Sequence, residues 1–167
     1  MSLFDKYNER LWLYCTRMLG DSHQGKDVVQ ELWEKVILLR QKDIGVPDKP
    51  MAYLFTMARN LSLNSIRSRK NIASLDDLSE SDHPEERLKE PSQLEELMVL
   101  ALQKLPESQR EVLVLNAYSG YSFEEIGEIL GKASGAIHTT AWRARKRLGE
   151  ILAELIKDEN KRIDNSL

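Results

Sequence analysis

Apolar residues return every three or four positions along most of this chain. Leu3, Tyr7, Leu11, Tyr14 and Met18 mark one face of a first helix, which Gly20-Asp21-Ser22 breaks. Val28, Leu32, Val36 and Leu39, flanked by Val29, Trp33 and Ile37, mark a second. Two prolines and a glycine between Asp43 and Pro50 predict a loop, and Pro50 suits the first turn of a third helix with Leu54, Ala58, Leu61 and Ser65 inward. Three one-sided helices predict a small bundle over residues 1–70. A second block starts near residue 92. Leu94, Leu97, Met98, Ala101 and Leu105 predict a helix ending before Pro106, and Val112 and Leu115 lie on the next one. Ser119-Gly120 stops that helix, Ser122 is a good N-cap for a helix over 123–130, and Gly131 separates it from a last helix over 134–156. No useful stretch alternates in the manner of a strand. The pattern predicts an all-α chain of two small helical domains, 1–70 and 92–167, each with its own core.

Charge sharpens the boundary between them. The formal net charge is −3, yet nine acidic residues against two basic ones between Leu75 and Met98 put −7 there and leave the remainder at +4. Residues 71–91 hold two prolines, several serines and few large apolar groups, a composition that predicts a flexible acidic linker. No apolar run reaches the roughly 18 residues of a membrane span, and the N-terminus lacks a secretory pattern. The single cysteine, Cys15, lies in an apolar helical stretch, which fits a buried thiol in a reducing cytoplasm. His23, His83 and His138 are dispersed, and no glycine-rich phosphate loop follows a strand. The expectation is a cytoplasmic protein that is not an enzyme, with no cofactor, metal or small-molecule substrate.

The candidate chemistry lies on three helices. Residues 122–131 followed by the helix from Ser134 read as a helix-turn-helix, with Gly127 small where two helices cross. On the second helix of that motif, Ile137, Ala141, Ala144, Leu148, Ile151 and Leu155 share the core side. Thr139, Trp142, Arg143 and Lys146 fall opposite, with His138 and Thr140 flanking them. Short polar residues come first and long cations later, an order that fits base contacts followed by phosphate contacts. A solvated basic face gives the same arginine run; the motif before it and the outward Trp142 favour DNA.

On the third helix, Thr56, Asn60, Asn64, Arg67 and Asn71 share a face that ends in Arg69 and Lys70, with Tyr53 and Phe55 available to stack unpaired bases. Alone, that stripe reads equally as a solvated face over a core of aromatics. Asp27, Gln30, Glu31 and Glu34 form an acidic strip on the second helix, suited to a basic partner or simply to water.

Both blocks resemble one family. Asp27-Val28-Val29-Gln30-Glu31-Leu32-Trp33 and Tyr53-Leu54-Phe55-Thr56-Met57-Ala58-Arg59-Asn60-Leu61 are similar to region 2 of sigma factors. Leu105-Pro106-Glu107-x-Gln109-Arg110-Glu111-Val112-Leu113, Tyr121-Ser122-Phe123-Glu124-Glu125-Ile126 and Arg143-Ala144-Arg145-Lys146-Arg147-Leu148 are similar to region 4. There is no room for the further regions of larger sigma factors, so the resemblance is to the extracytoplasmic-function group. It implies promoter-specific transcription initiation with core RNA polymerase, regulated by an anti-sigma factor, with promoter DNA as the other partner. Asp27, Gln30, Glu31 and Glu34 are then the polymerase surface. Tyr53, Thr56, Asn60, Asn64, Arg67 and Lys70 serve the minus-10 element, and Ser134, His138, Thr139, Thr140, Trp142, Arg143 and Lys146 the minus-35 element. Lys132, Ala133, Ala136 and Thr140 depart from the family pattern, and Ser134 is expected to cap in place of Ala133. The competing reading is a helix-turn-helix regulator that acts on DNA without polymerase.

Overall fold

The computed structural model describes residues 1–73 and 92–167. Seven helices follow in order: α1 (Leu3–Leu19), α2 (Ser22–Gln41), α3 (Pro50–Ala73), α4 (Gln93–Lys104), α5 (Glu107–Leu113), which runs on as a π-helical turn Val114–Tyr118, α6 (Phe123–Leu130) and α7 (Ser134–Asn165). No strand forms among the described residues. Residues 71–73 belong to α3, so the helix runs past the expected boundary at 70; the rest of the expected linker, 74–91, lies outside the described residues.

Side-chain caps set most of the starts. Ser2, Ser92 and Ser122 each accept from the backbone three residues on, and Asp5, Glu95 and Glu125 reciprocate at the cap N–H. Asp21 caps α2 by accepting from the Gln24 N–H at 2.9 Å. α7 continues to Asn165, nine residues beyond the Ile156 that the apolar pattern predicts, because nothing after Ile156 is a glycine or proline that would stop it.

α1, α2 and α3 pack as the expected bundle around Leu11, Tyr14, Met18, Leu32, Leu54 and Ala58. Cys15 is fully buried there, and burial pushes its thiol up to about 12, so it stays protonated and inert. α4, α5, α6 and α7 form the second domain, with Leu102, Leu105, Leu113 and Ala144 clustered between α4, α5 and α7.

The expectation of two separate cores is not met. The buried side chains of the first bundle continue without a break into Val112, Val114, Leu115, Tyr121, Ile126, Ile129, Ile137 and Ala141 of the second domain. The physical reason lies in α5. Arg110 through Leu115 are six consecutive buried residues. A segment buried all round needs a partner on each side, and α1 of the first domain packs against the π-helical turn that continues α5. One ring contact crosses the boundary: Phe55, which meets Tyr14 of its own domain edge-on at 5.7 Å between centroids, meets Tyr121 of the second domain at 4.9 Å. A polar seam runs beside it. The Arg110 guanidinium donates to the carbonyls of Leu102 (2.9 Å), Gln103 (3.0 Å) and Leu105 (3.2 Å), closing the end of α4, and reaches the Met18 carbonyl of α1 at 2.9 Å. The Gln103 amide donates to the Arg17 carbonyl at 3.1 Å, and Arg69 donates to that of Leu19 at 3.0 Å. The free carbonyls at the end of α1 are thus answered from α3 and from the second domain.

Candidate nucleic-acid interface

The turn between α6 and α7 is built by two glycines. Gly131 sits at φ +65°, where a side chain would be strained, and ends α6. Gly127 lies under the turn: a Cβ placed on it would stand 2.5 Å from the Lys132 carbonyl oxygen. α6 and α7 therefore cross closely, as the sequence predicts. Ser134 does not cap α7. Ala133 takes the capping position with no side-chain hydrogen bond, because residue 134 is already helical and its side chain lies past the point from which it could reach back.

α7 buries Ile137, Ala141 and Ala144 and presents His138, Thr139, Trp142, Arg143 and Lys146 to solvent, with Ser134 and Thr140 half-buried. Trp142 is 65% exposed, with the Lys146 ammonium over its ring at 5.5 Å, so a flat apolar surface carries a positive charge. His138 packs against the Phe123 ring at 4.1 Å between centroids, which fixes its direction from the start of α6. Thr139 and Thr140 donate to the carbonyls of Gly135 (3.1 Å) and Ala136 (3.0 Å) one turn back. Arg145 donates to the Asn116 side chain at 3.0 Å, and Asn116 in turn donates to the Tyr121 carbonyl at 2.8 Å, so α7 is tied to the segment before α6.

On α3 the structure separates the predicted residues. Thr56, Asn60, Asn64, Arg67 and Lys70 are exposed along one helix, and Tyr53 is half-buried against the core. Phe55 cannot stack a base. It has no exposed surface and is held between Tyr14 and Tyr121, the alternative that the sequence left open. Thr56 is engaged from the second domain, its hydroxyl donating to the Ile129 carbonyl of α6 at 3.2 Å. Lys70 pairs with Glu107 at 3.7 Å. On α2, Asp27, Gln30, Glu31 and Glu34 are all exposed. Gln30 donates to Glu34 at 3.4 Å and Lys35 pairs with Glu31 at 3.5 Å, contacts too exposed to hold the strip rigid.

One cluster was not predicted at all. The Glu111 carboxylate of α5, with 5% of its side chain exposed, receives a close ion pair from Arg59 of α3 and a hydrogen bond from the Tyr14 hydroxyl of α1 at 3.4 Å. Burial holds its carboxyl above the ordinary value of 4.5, against the opposing pull of Arg59. The signal lay in the motif Arg110-Glu111-Val112-Leu113, where two charges adjoin an apolar run, but nothing in one sequence places their partners 52 and 97 residues away. No group of metal-ligating side chains occurs among the described residues, and none of their helices is long and apolar enough to cross a membrane.

Residues 3–72 match the family model for sigma-70 region 2, and residues 95–148 that for sigma-70 region 4. The chain is 32% identical over 162 residues to the extracytoplasmic-function RNA polymerase sigma factor SigL of Mycobacterium tuberculosis, a match covering 92% of this chain and 89% of that protein. It is 27% identical over 167 residues to the sigma factor SigW of Bacillus subtilis, covering 92% of this chain and 88% of that protein. Among solved structures it is similar to the sigma factor RpoE of Bartonella quintana, crystallised with the anti-sigma factor NepR. That likeness has a TM-score of 0.62 at 27% identity and covers 90% of this chain and 98% of that one.

Proposed function

The chain belongs to the sigma-70 family, in its extracytoplasmic-function group, and from that premise we infer that it is a dissociable subunit that binds core RNA polymerase and directs it to particular promoters. One observation carries the reading: a region 2 unit and a region 4 unit stand in one chain, in that order, and together span most of it. A regulator acting on DNA alone needs the helix-turn-helix and has no use for the first bundle. The exposed strip of Asp27, Gln30, Glu31 and Glu34 is the surface offered to polymerase. Asn60, Asn64 and Arg67, with Tyr53, Thr56 and Lys70 beside them, serve the minus-10 element, where amides can pair with unstacked base edges. α7 serves the minus-35 element through His138, Thr139, Thr140, Trp142, Arg143 and Lys146, and Ser134 lies at its N-terminus, where a phosphate is favourably placed. The RpoE relative was solved with an anti-sigma factor. An anti-sigma factor is the regulator expected here too, with the cytoplasm, where polymerase works, as the place of action.

Run-off transcription with purified core polymerase and a library of genomic promoter fragments tests the reading. Discrete transcripts that depend on both the chain and core polymerase support it. Sequence-specific DNA binding by the chain alone, with no transcript on addition of core polymerase, returns the regulator reading.

A further inference from the structure

We propose that Phe123 is a positioning residue for the minus-35 element: its ring holds the His138 imidazole in one direction, so that a ring N–H is presented to the acceptor edge of a single guanine. The proposal rests on the sigma-factor reading for the identity of the DNA element. The coupling of the two rings rests on their contact.

The start of α7 leaves base reading to few side chains. Its first turn holds Ser134, Gly135 and Ala136, all short, and Ile137, which is buried. His138 is therefore the first long side chain that α7 exposes. Thr139 and Thr140 spend their hydroxyl protons on the carbonyls of Gly135 and Ala136. Between Gly135 and Thr140, His138 alone keeps a side-chain donor to offer, and neither of its ring nitrogens hydrogen-bonds to protein among the described residues. A neutral imidazole carries one donor. Guanine is the base whose major-groove edge shows two adjacent acceptors, N7 and O6.

An exposed side chain on a helix samples several rotamers, and fixing it at the moment of binding costs affinity and selectivity. His138 is fixed beforehand. The Phe123 ring meets the imidazole at 4.1 Å between centroids, with the planes at 61°. That ring is itself held in place. It is half-buried and packs on the core behind it. The backbone N–H groups of Ser122 and Glu125 each donate to the other's side chain at 3.1 Å, which fixes the first turn of α6. Gly127 then lets α6 and α7 cross closely, so the two rings come together across the turn. Phe123 acts through His138 and has no need to touch DNA. A Phe123 that only packed the motif would affect every DNA sequence alike, whereas one that aims His138 affects one base pair.

Two measurements on the full chain decide the matter. Holoenzyme assembled with core polymerase is bound to a promoter library whose minus-35 segment is randomised, and preference is read base by base. Wild type should favour guanine at one position by about fivefold or more, and His138→Ala should flatten that position. Phe123→Leu and Phe123→Met, which keep an apolar group on the core and lose the ring, should lower the same preference by about threefold and leave the other positions as they were. Phe123→Tyr, which keeps the ring, should retain it. On the His138→Ala background, Phe123→Leu should change nothing further there. Separately, proton NMR of the free chain should show His138 ring resonances, identified by their loss in His138→Ala, displaced by the ring current of Phe123. Phe123→Leu should move them back with helical circular dichroism unchanged. Uniform weakening of all sequences by the ring-free variants overturns the proposal. So does a His138-dependent position that prefers another base, a Phe123→Tyr variant that loses the preference, or a His138 resonance that Phe123→Leu does not move. If holoenzyme selects no sequence beyond core polymerase alone, the sigma-factor reading fails. Binding of the same library by the chain alone then decides the coupling of the two rings, and the absence of a guanine preference there overturns it.

Discussion

The hydroxyl protons of Thr139 and Thr140 are already engaged by backbone carbonyls one turn back. What each presents outward is an oxygen lone pair and a methyl group. Such residues accept from the amino groups of adenine or cytosine and touch the thymine methyl. Thr139→Val keeps the methyl and loses the acceptor. It should reorder the preferred minus-35 sequences by about 1 kcal/mol at one position. Arg143→Ala should weaken all sites alike and lower the salt slope by about 0.9. Binding to a promoter library at several salt concentrations checks both, and a reordering by Arg143→Ala with uniform weakening by Thr139→Val inverts the assignment. Glu111 carries a second expectation. A carboxyl raised above 4.5 by burial binds its proton more tightly in the packed form. Its contribution to stability is full below that ordinary value and is lost as pH rises through the raised one. Melting temperature compared between wild type and Glu111→Gln, from about pH 4 to 7, should show wild type losing ground to the variant as pH rises. A constant difference would show that this carboxyl titrates normally. The chemistry of individual surface residues on α7 was legible because each could be placed on a helical wheel. The burial of Glu111 was not, because it depends on Arg59 and Tyr14 arriving from elsewhere in the chain.

At the scale of elements, boundaries marked by a local cap or a glycine break were readable and the others were not. Ser122 announces α6 and the Gly20 and Gly131 breaks fall where α1 and α6 stop, since capping chemistry is local. The π-helical turn at Val114–Tyr118 has no such signature, and α7 runs on past Ile156 on a polar stretch where only weak contacts, such as Gln93 with Glu159 at 3.4 Å, accompany it. Two glycines separate close packing from mere permissiveness. Gly127→Ala should destabilise by about 1–3 kcal/mol, because its methyl meets the Lys132 carbonyl at the crossing of α6 and α7. Gly149→Ala, mid-helix with open space around it, should stabilise by about 0.5–1 kcal/mol. Chemical denaturation of the two variants measures both. A Gly127→Ala variant as stable as wild type or more so would mean that the crossing gives way, and that the tight turn is not what fixes the reading helix.

For the molecule as a whole, the all-α class and the two-block order follow from apolar periodicity, and the packing of one block on the other does not. Val112-Leu113-Val114-Leu115 is a run of four apolar residues that fits a one-sided helix as readily as one enclosed on every side. Only the structure shows that the run is enclosed, with the Phe55 ring meeting Tyr121 across the boundary. A core shared in this way makes the peptide link between the blocks dispensable for their association. Produced as two separate polypeptides, residues 1–73 and 92–167 should find each other and co-elute as a one-to-one pair. The chain would then behave as a heterodimer whose subunits happen to be encoded end to end, with the covalent join setting only their effective concentration.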